Sequence, residues 1–405
     1  MSRPSALRLT RRTLLAAAGG LAIPMALPSA LPRASAQAAT SGTTLKAAPG
    51  RRPELAGQRP LPLFNDALPG PAVRLKQGQP ATLRLQNGLG EAVELAFPGL
   101  RLPLGATPLA LAPGESREVT FTPPDAGTFL YQAQSPAQHT LAGALVIEEA
   151  KGTAYDTDHL LVIQAFPQPG GMPVFTVNGA VSPTFSAPAQ ARARLRLVNA
   201  SPAFLPLKLH LASPYVLAID GQPVEPFAAM GDRLQLPPGG RADIAAAPGA
   251  DGRITLDSPG GEIPLATIAA TGSGPAPSGA PIPLPSNGLP PDFPLTGAAR
   301  FDLPLGEAAR VPAVLGSLKA GRAVVLTLTN PTDAPVAVNI QGHPARPLDH
   351  NYDGWQPWWH DTVPVAPGAT VRVAFLAQTP GRWPVVARRG GDGAVVVRTA
   401  YEVTR

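Results

Sequence analysis

The sequence of 405 residues contains no cysteine. Disulfides, thiolate nucleophiles and thiolate-bound metals are therefore excluded, and stability has to come from buried apolar surface. Charged residues are scarce at 15% of the chain, and aromatic residues make up 5%. There is no phosphate-cradling glycine motif, no G-x-S-x-G elbow and no carboxylate pair in a catalytic setting. Beyond the first 36 residues no run is long and apolar enough to span a bilayer. What the chain has instead is proline, 52 residues of it. Proline lacks an N–H donor and clashes with the preceding turn of a helix, whereas short strands between Pro/Gly turns accommodate it. An all-β fold is expected.

The formal net charge of +6 is unevenly placed. Five of the 33 basic residues, Arg3, Arg8, Arg11, Arg12 and Arg33, fall in the first 36 positions, which hold no acid; the remainder is 28 basic against 27 acidic residues. That near-neutral balance gives no electrostatic reason to bind nucleic acid or an anionic membrane. The opening segment accounts for the excess. Arg11-Arg12 precedes Leu14-Leu15 and a mildly apolar run, Ala16–Leu31, and Ala34-Ser35-Ala36 then offers the small residues a signal peptidase needs. This arrangement resembles a twin-arginine export signal. Cleavage after Ala36 and a periplasmic mature protein, with no membrane insertion after processing, are expected.

Turn-punctuated strands group into three stretches, expected at 44–149, 150–272 and 299–405. A Pro/Gly/Ser linker at 273–298 and the signal at 1–36 complete the chain. The strand spacing fits three consecutive Greek-key β-sandwiches. In the second stretch Arg192, Arg194 and Arg196 alternate with Ala193, Leu195 and Leu197, the pattern of a half-buried strand. In the first, "AGTFLYQAQSPAQ" ends an apolar strand with Gln132 and Gln134, two amides on one face.

The order of these blocks resembles the multicopper oxidases, which have three cupredoxin-like sandwiches. The likeness is carried by "VNASPAFLPLKLHLASPYVLAIDGQPVEP" and "GGRAD" in the second stretch and by "HDTVPVAPGATVRVAFLAQTPGRW" in the third. Where that family's pattern has copper ligands, other residues stand here. "AFPGL" puts Ala96 and Pro98 at the first pair, and "YQAQ" puts Gln132 and Gln134 at the second. "VAVNIQGH" puts Val336, Asn339 and Gln341 at the third set, and "VVARRGGD" puts Val386, Ala387, Arg388 and Asp392 at the fourth. The resemblance thus implies a retained fold without copper ligands and without a cofactor.

Within the family the chain resembles the copper-free SufI/FtsP-type branch. That likeness implies a scaffold, not an enzyme, that protects or stabilises the division septum through contacts with septal or other periplasmic proteins. The alternative is a periplasmic protein or enzyme that binds a small molecule or a loosely held metal in the vacated site between domains 1 and 3. Two further groups stand out. His343, Asp349, His350, Asp353, His360 and Asp361 crowd one segment, but their spacing matches no standard metal site and a polar loop is expected. Trp355, Trp358 and Trp359 form an aromatic cluster, with Trp358 and Trp359 expected to be partly core, Trp355 expected to be exposed, and the three together a candidate partner surface. Asp156, Asp158 and Asp220 are expected at strand edges or turns, making local hydrogen bonds.

Overall fold

The computed structural model describes residues 42–405, except 57–58, 103–108, 169, 307–309 and 349–357. Arg11, Arg12, Ala36, Asp349, His350, Asp353 and Trp355 lie outside the described residues. The rest is almost entirely β-structure, arranged as three sandwiches.

The inner faces follow from side-chain alternation. In Ala81–Asn87 (ATLRLQN), Leu83 and Leu85 point into the core while Arg84 faces water. The first sandwich packs a four-stranded sheet on a five-stranded one around Leu45, Leu83, Leu95, Phe129 and Leu145. The second has six- and five-stranded sheets around Leu195, Leu207, Ile244 and Ile268. The third repeats the four-plus-five arrangement around Leu326, Val338, Phe375 and Tyr401. Two parallel strand pairs recur in each sandwich. Thr43–Gly50 runs beside Ala81–Asn87, Asp158–Phe166 beside Ala193–Asn199, and Ala299–Pro304 beside Arg322–Thr329. On the opposite sheets Gly70–Lys76 runs beside Ala142–Glu148, Thr184–Pro188 beside Ile263–Thr271, and Ser317–Lys319 beside Val395–Thr404. One topology is used three times. Between Thr271 and Ala299 no strand forms among the described residues.

The repetition extends to single atoms. Asn87, Asn199 and Asn330 are buried at or just after the end of equivalent strands. Each side-chain amide faces three carbonyls: Glu91, Leu111 and Ala112 for Asn87; Ala203, Leu236 and Pro237 for Asn199; Ala334, Val365 and Ala366 for Asn330. Each Oδ1 accepts the backbone N–H two residues on. An amide has only two N–H groups, so one bond is shared. The asparagine ties the strand end to its own turn and to the turn of a second strand, closing the end of the sandwich.

One strand departs from its sequence pattern. Ala193–Asn199 is buried along its whole length, including Arg194 and Arg196, which alternation had placed on a solvent face. The face carrying the arginines is covered by the first domain, and acids from neighbouring strands neutralise it. Close approach of the two domains also depends on Gly127, where a Cβ would collide with the carbonyl of Gly221.

Replacing Asn330 by alanine strands buried carbonyls and an N–H. A loss of about 3 kcal/mol is expected, read as a lowered urea midpoint without a change in slope. A variant indistinguishable from the parent would show the clamp to be dispensable.

Candidate functional site

The three domains meet around buried charge. Arg194 donates to Asp243 at 2.6 and 3.1 Å and to Glu149 of the first domain at 2.6 Å. Arg196, directly opposite Asp243 across the ladder, grips Asp158 at 2.7 Å and donates to the Thr128 hydroxyl at 2.9 Å. Thr128 in turn donates to Asp243 at 2.6 Å. Burial alone would raise the Asp243 pKa, but Arg194 and Arg196 bring it below the usual carboxylate range.

Arg241 extends the network into the third domain. Its guanidinium takes both oxygens of Asp361, one at 2.8 Å, and also reaches the carbonyls of Thr128, Gly239 and Asp220. Asp220 accepts from the Arg241 N–H at 3.0 Å, from the backbone N–H groups of Asp361 and Thr362 at 3.2 Å, and pairs with the His360 ring at 3.1 Å. Asp220 does sit at a turn, after the strand Ala212–Ile219, but its hydrogen bonds are not only local. It joins two domains, and its pKa is lowered: burial opposes this, but Arg241 and His360 prevail. Asp361 is raised by burial and by the adjacent Asp220, against Arg241. None of this network was anticipated from sequence. The available signal was the i, i+2 spacing of Arg194 with Arg196 and of Arg241 with Asp243, which puts each pair on one strand face.

The positions matched to copper ligands fall into four environments. Val336 and Ala387 are in the core of the third domain, and Val386 lies opposite Asn339 in the ladder. Ala96 and Pro98 are buried, with Ala96 across from Gln132. Asn339 donates to the Asp361 carbonyl and Thr362 hydroxyl at 3.2 Å, and the buried amide of Gln341 has no hydrogen-bond partner among the described residues. Asp392 is on an exposed turn, paired with Arg389 at 2.6 Å. The Arg388 Nη2 crosses between domains to the Gln134 carbonyl at 2.6 Å and its side-chain oxygen at 3.2 Å.

Beside that contact a cavity of about 310 Å³ opens at the meeting of all three domains. Gln132, Ser135 and His139 line it from the first domain, Ser201 and Gly239 from the second, and Arg388 from the third. It brings together three of the matched positions, Gln132, Arg388 and Asp392.

The remaining candidates resolve differently. His343 is buried and neutral: Nε2 accepts the N–H groups of Gln378 and Thr379 at 3.1 Å, so Nδ1 carries the proton toward the Tyr401 hydroxyl at 2.7 Å. His360 and Asp361 belong to the ion network. Among the described residues no three His, Asp or Glu side chains are grouped to hold a metal. Trp358 is half-buried against Phe227, and Trp359 is buried on Phe293, so the described part of the aromatic cluster is turned inward.

The donors at the matched positions do not fit copper. Alanine, proline and valine cannot coordinate, amides are poor donors for it, Arg388 is cationic, the one carboxylate, Asp392, is paired with Arg389, and a thiolate is absent from the chain.

Comparison with known proteins gives the context. Two family models, both described as multicopper oxidase, match residues 48–152 and 311–385. Copper resistance protein A of Pseudomonas syringae pv. tomato is 32% identical over 174 residues, 38% of this chain and 29% of that protein. Its Escherichia coli counterpart is 28% identical over 175 residues, covering 39% and 29%. The matched part thus spans less than a third of these relatives. Among solved structures, a multicopper oxidase from Pseudomonas thermotolerans superposes with a TM-score of 0.78 at 26% identity, over 91% of this chain and 100% of that one. Lac15 from a marine microbial metagenome gives 0.72 at 27% identity, over 90% and 100%. The sequence-based expectation that the chain is not an enzyme is corrected by these findings. Its relatives are multicopper oxidases and copper resistance proteins, and a missing copper donor set does not establish a loss of activity.

Two outcomes test the site's physics. Asp361→Asn removes the two-point acidic partner of the buried Arg241 and leaves only the Asp220 carboxylate, at 3.7 Å, as a nearby counter-charge; it is expected to cost about 3 kcal/mol, measured by chemical denaturation. For His343, burial and the Arg101 charge lower the pKa to about 3. Its folded value lies below the unfolded one, so the stability from the neutral ring is complete above about pH 6.5 and declines as pH falls from there toward 3. His343→Gln should flatten the pH dependence of the urea midpoint over that window; an unchanged slope would contradict the assignment.

Proposed function

We propose, for a chain that is multicopper oxidase-like in sequence and in fold, that it binds a small molecule in the cleft where its three domains meet, and that it does so in the periplasm after export through its twin-arginine-like leader. The cleft carries this reading. Its volume falls within the range of small-molecule sites, and it lies between domains, a common place for ligands. Three positions that match copper ligands by resemblance, Gln132, Arg388 and Asp392, belong to its lining. The ion network beside it fixes the three domains in place, so the cleft is pre-formed and a ligand need not order its walls.

Contact with septal proteins, implied by the SufI/FtsP likeness, has less support. Trp358 and Trp359 are packed inward, and Trp355 lies outside the described residues. The large apolar side chains that are exposed, Met172, Val181, Met230 and Ile282, come from separate segments.

Ser135 is exposed at the cleft wall, so Ser135→Trp places an indole across it without disturbing a core. A fragment set screened by ligand-observed NMR is expected to give binders to the parent that lose their signal with this variant. Binders unaffected by the plug would move the site elsewhere and overturn the proposal.

A further inference from the structure

The cleft of about 310 Å³ holds a guanidinium that the protein leaves incompletely bonded. Arg388 is half-buried and reaches only neutral oxygens: Gln134 twice through Nη2, and the Gly393 carbonyl through Nη1 at a long 3.4 Å. Its Nε makes no hydrogen bond to a described residue, although a guanidinium has five donors in a fork suited to a carboxylate.

The acids nearby are committed elsewhere. Glu94 closes on Arg398 at 2.8 Å, and Asp392 closes on Arg389 at 2.6 Å while also accepting the Ala394 N–H. Burial lowers the Arg388 pKa, to about 10, with Arg398 acting in the same direction and Glu94 against it. The group is still a cation at neutral pH. A cation facing a cleft without an anionic partner is an uncompensated charge that a bound anion would satisfy.

The rest of the lining narrows the class. Ala133, Ala200, Pro167, Pro202 and Pro238 give apolar walls, while Gln132, His139 and the Ser135 and Ser201 hydroxyls are the polar groups. The cleft has a single guanidinium, with Asp392 also in its lining, which disfavours a dianion such as phosphate. Resting on the ligand-binding reading of this cleft, we propose that Arg388 makes it a receptor for small organic carboxylates with an apolar body, the carboxylate on the guanidinium and the body against the prolines.

The test uses the mature protein and three probes: benzoate, its neutral isostere benzamide, and inorganic phosphate, with binding measured by ligand-observed NMR titration. Benzoate is expected to bind at least about tenfold tighter than benzamide, the ratio a charge-assisted bidentate contact supplies, and phosphate not to compete. Arg388→Gln should bring benzoate down to the benzamide level and leave benzamide unchanged. Because Arg388 also ties two domains, the comparison of benzoate with benzamide on the parent stands even if this variant fails to fold. Equal binding of the two probes, abolished by Ser135→Trp, would overturn the carboxylate proposal while leaving the cleft as a binding site. Competition by phosphate would replace it with an inorganic-anion site. Failure of all three probes, together with a fragment screen indifferent to Ser135→Trp, would remove both readings.

Discussion

Arg241 is the residue on which the arrangement of the molecule depends. It is fully buried, it belongs to the second domain, and it bonds to Thr128 of the first and Asp361 of the third. A buried guanidinium is tolerable only when acids and carbonyls replace its water, and those groups come from separate domains. Each domain therefore completes the solvation of a charge in another. Apolar surface would hold the domains together in many relative positions. Directional charge-assisted bonds select one of them.

The same constraint explains how a cleft can persist at the junction. Gly239 gives its carbonyl to Arg241 and its surface to the cavity, and Thr362 sits beside Asp361 and near Gln132 across Gly239. The ion network is thus the floor of one side of the cleft. The positions matched by resemblance to copper ligands carry amides, aliphatics, one guanidinium and one carboxylate here. Asn339 satisfies its N–H groups on the network, whereas the buried Gln341 amide has no hydrogen-bond partner among the described residues. Such an unsatisfied group is costly. It marks a place where the substitution is chemically incomplete.

Much of the fold was legible in the sequence because sandwiches are written in a short code. Alternating residues such as Leu83 and Leu85 against Arg84 identify strands, and turn residues separate them. The partly buried placement of Trp358 and Trp359 was legible too, whereas the threefold asparagine clamp was not. An isolated Asn before a turn reads as a local turn residue, and its carbonyl partners lie as far as 38 positions along the chain. Of the site, the replacement of ligand positions was visible residue by residue. The cleft that Gln132, Ser201 and Arg388 share was not, because it is made of three domains.

By itself the sequence determined that this protein is all-β and cysteine-free. Those are properties of residue type and local spacing, which survive any arrangement of domains. Only the tertiary structure decided that Arg194, Arg196 and Arg241 are interior, that Asp220 joins domains, and that Arg388 faces a cleft without an anionic partner. The physical reason is that the burial of a charge depends on what the rest of the chain brings against it. Alternation places a side chain on a face, but long-range packing decides whether that face meets water.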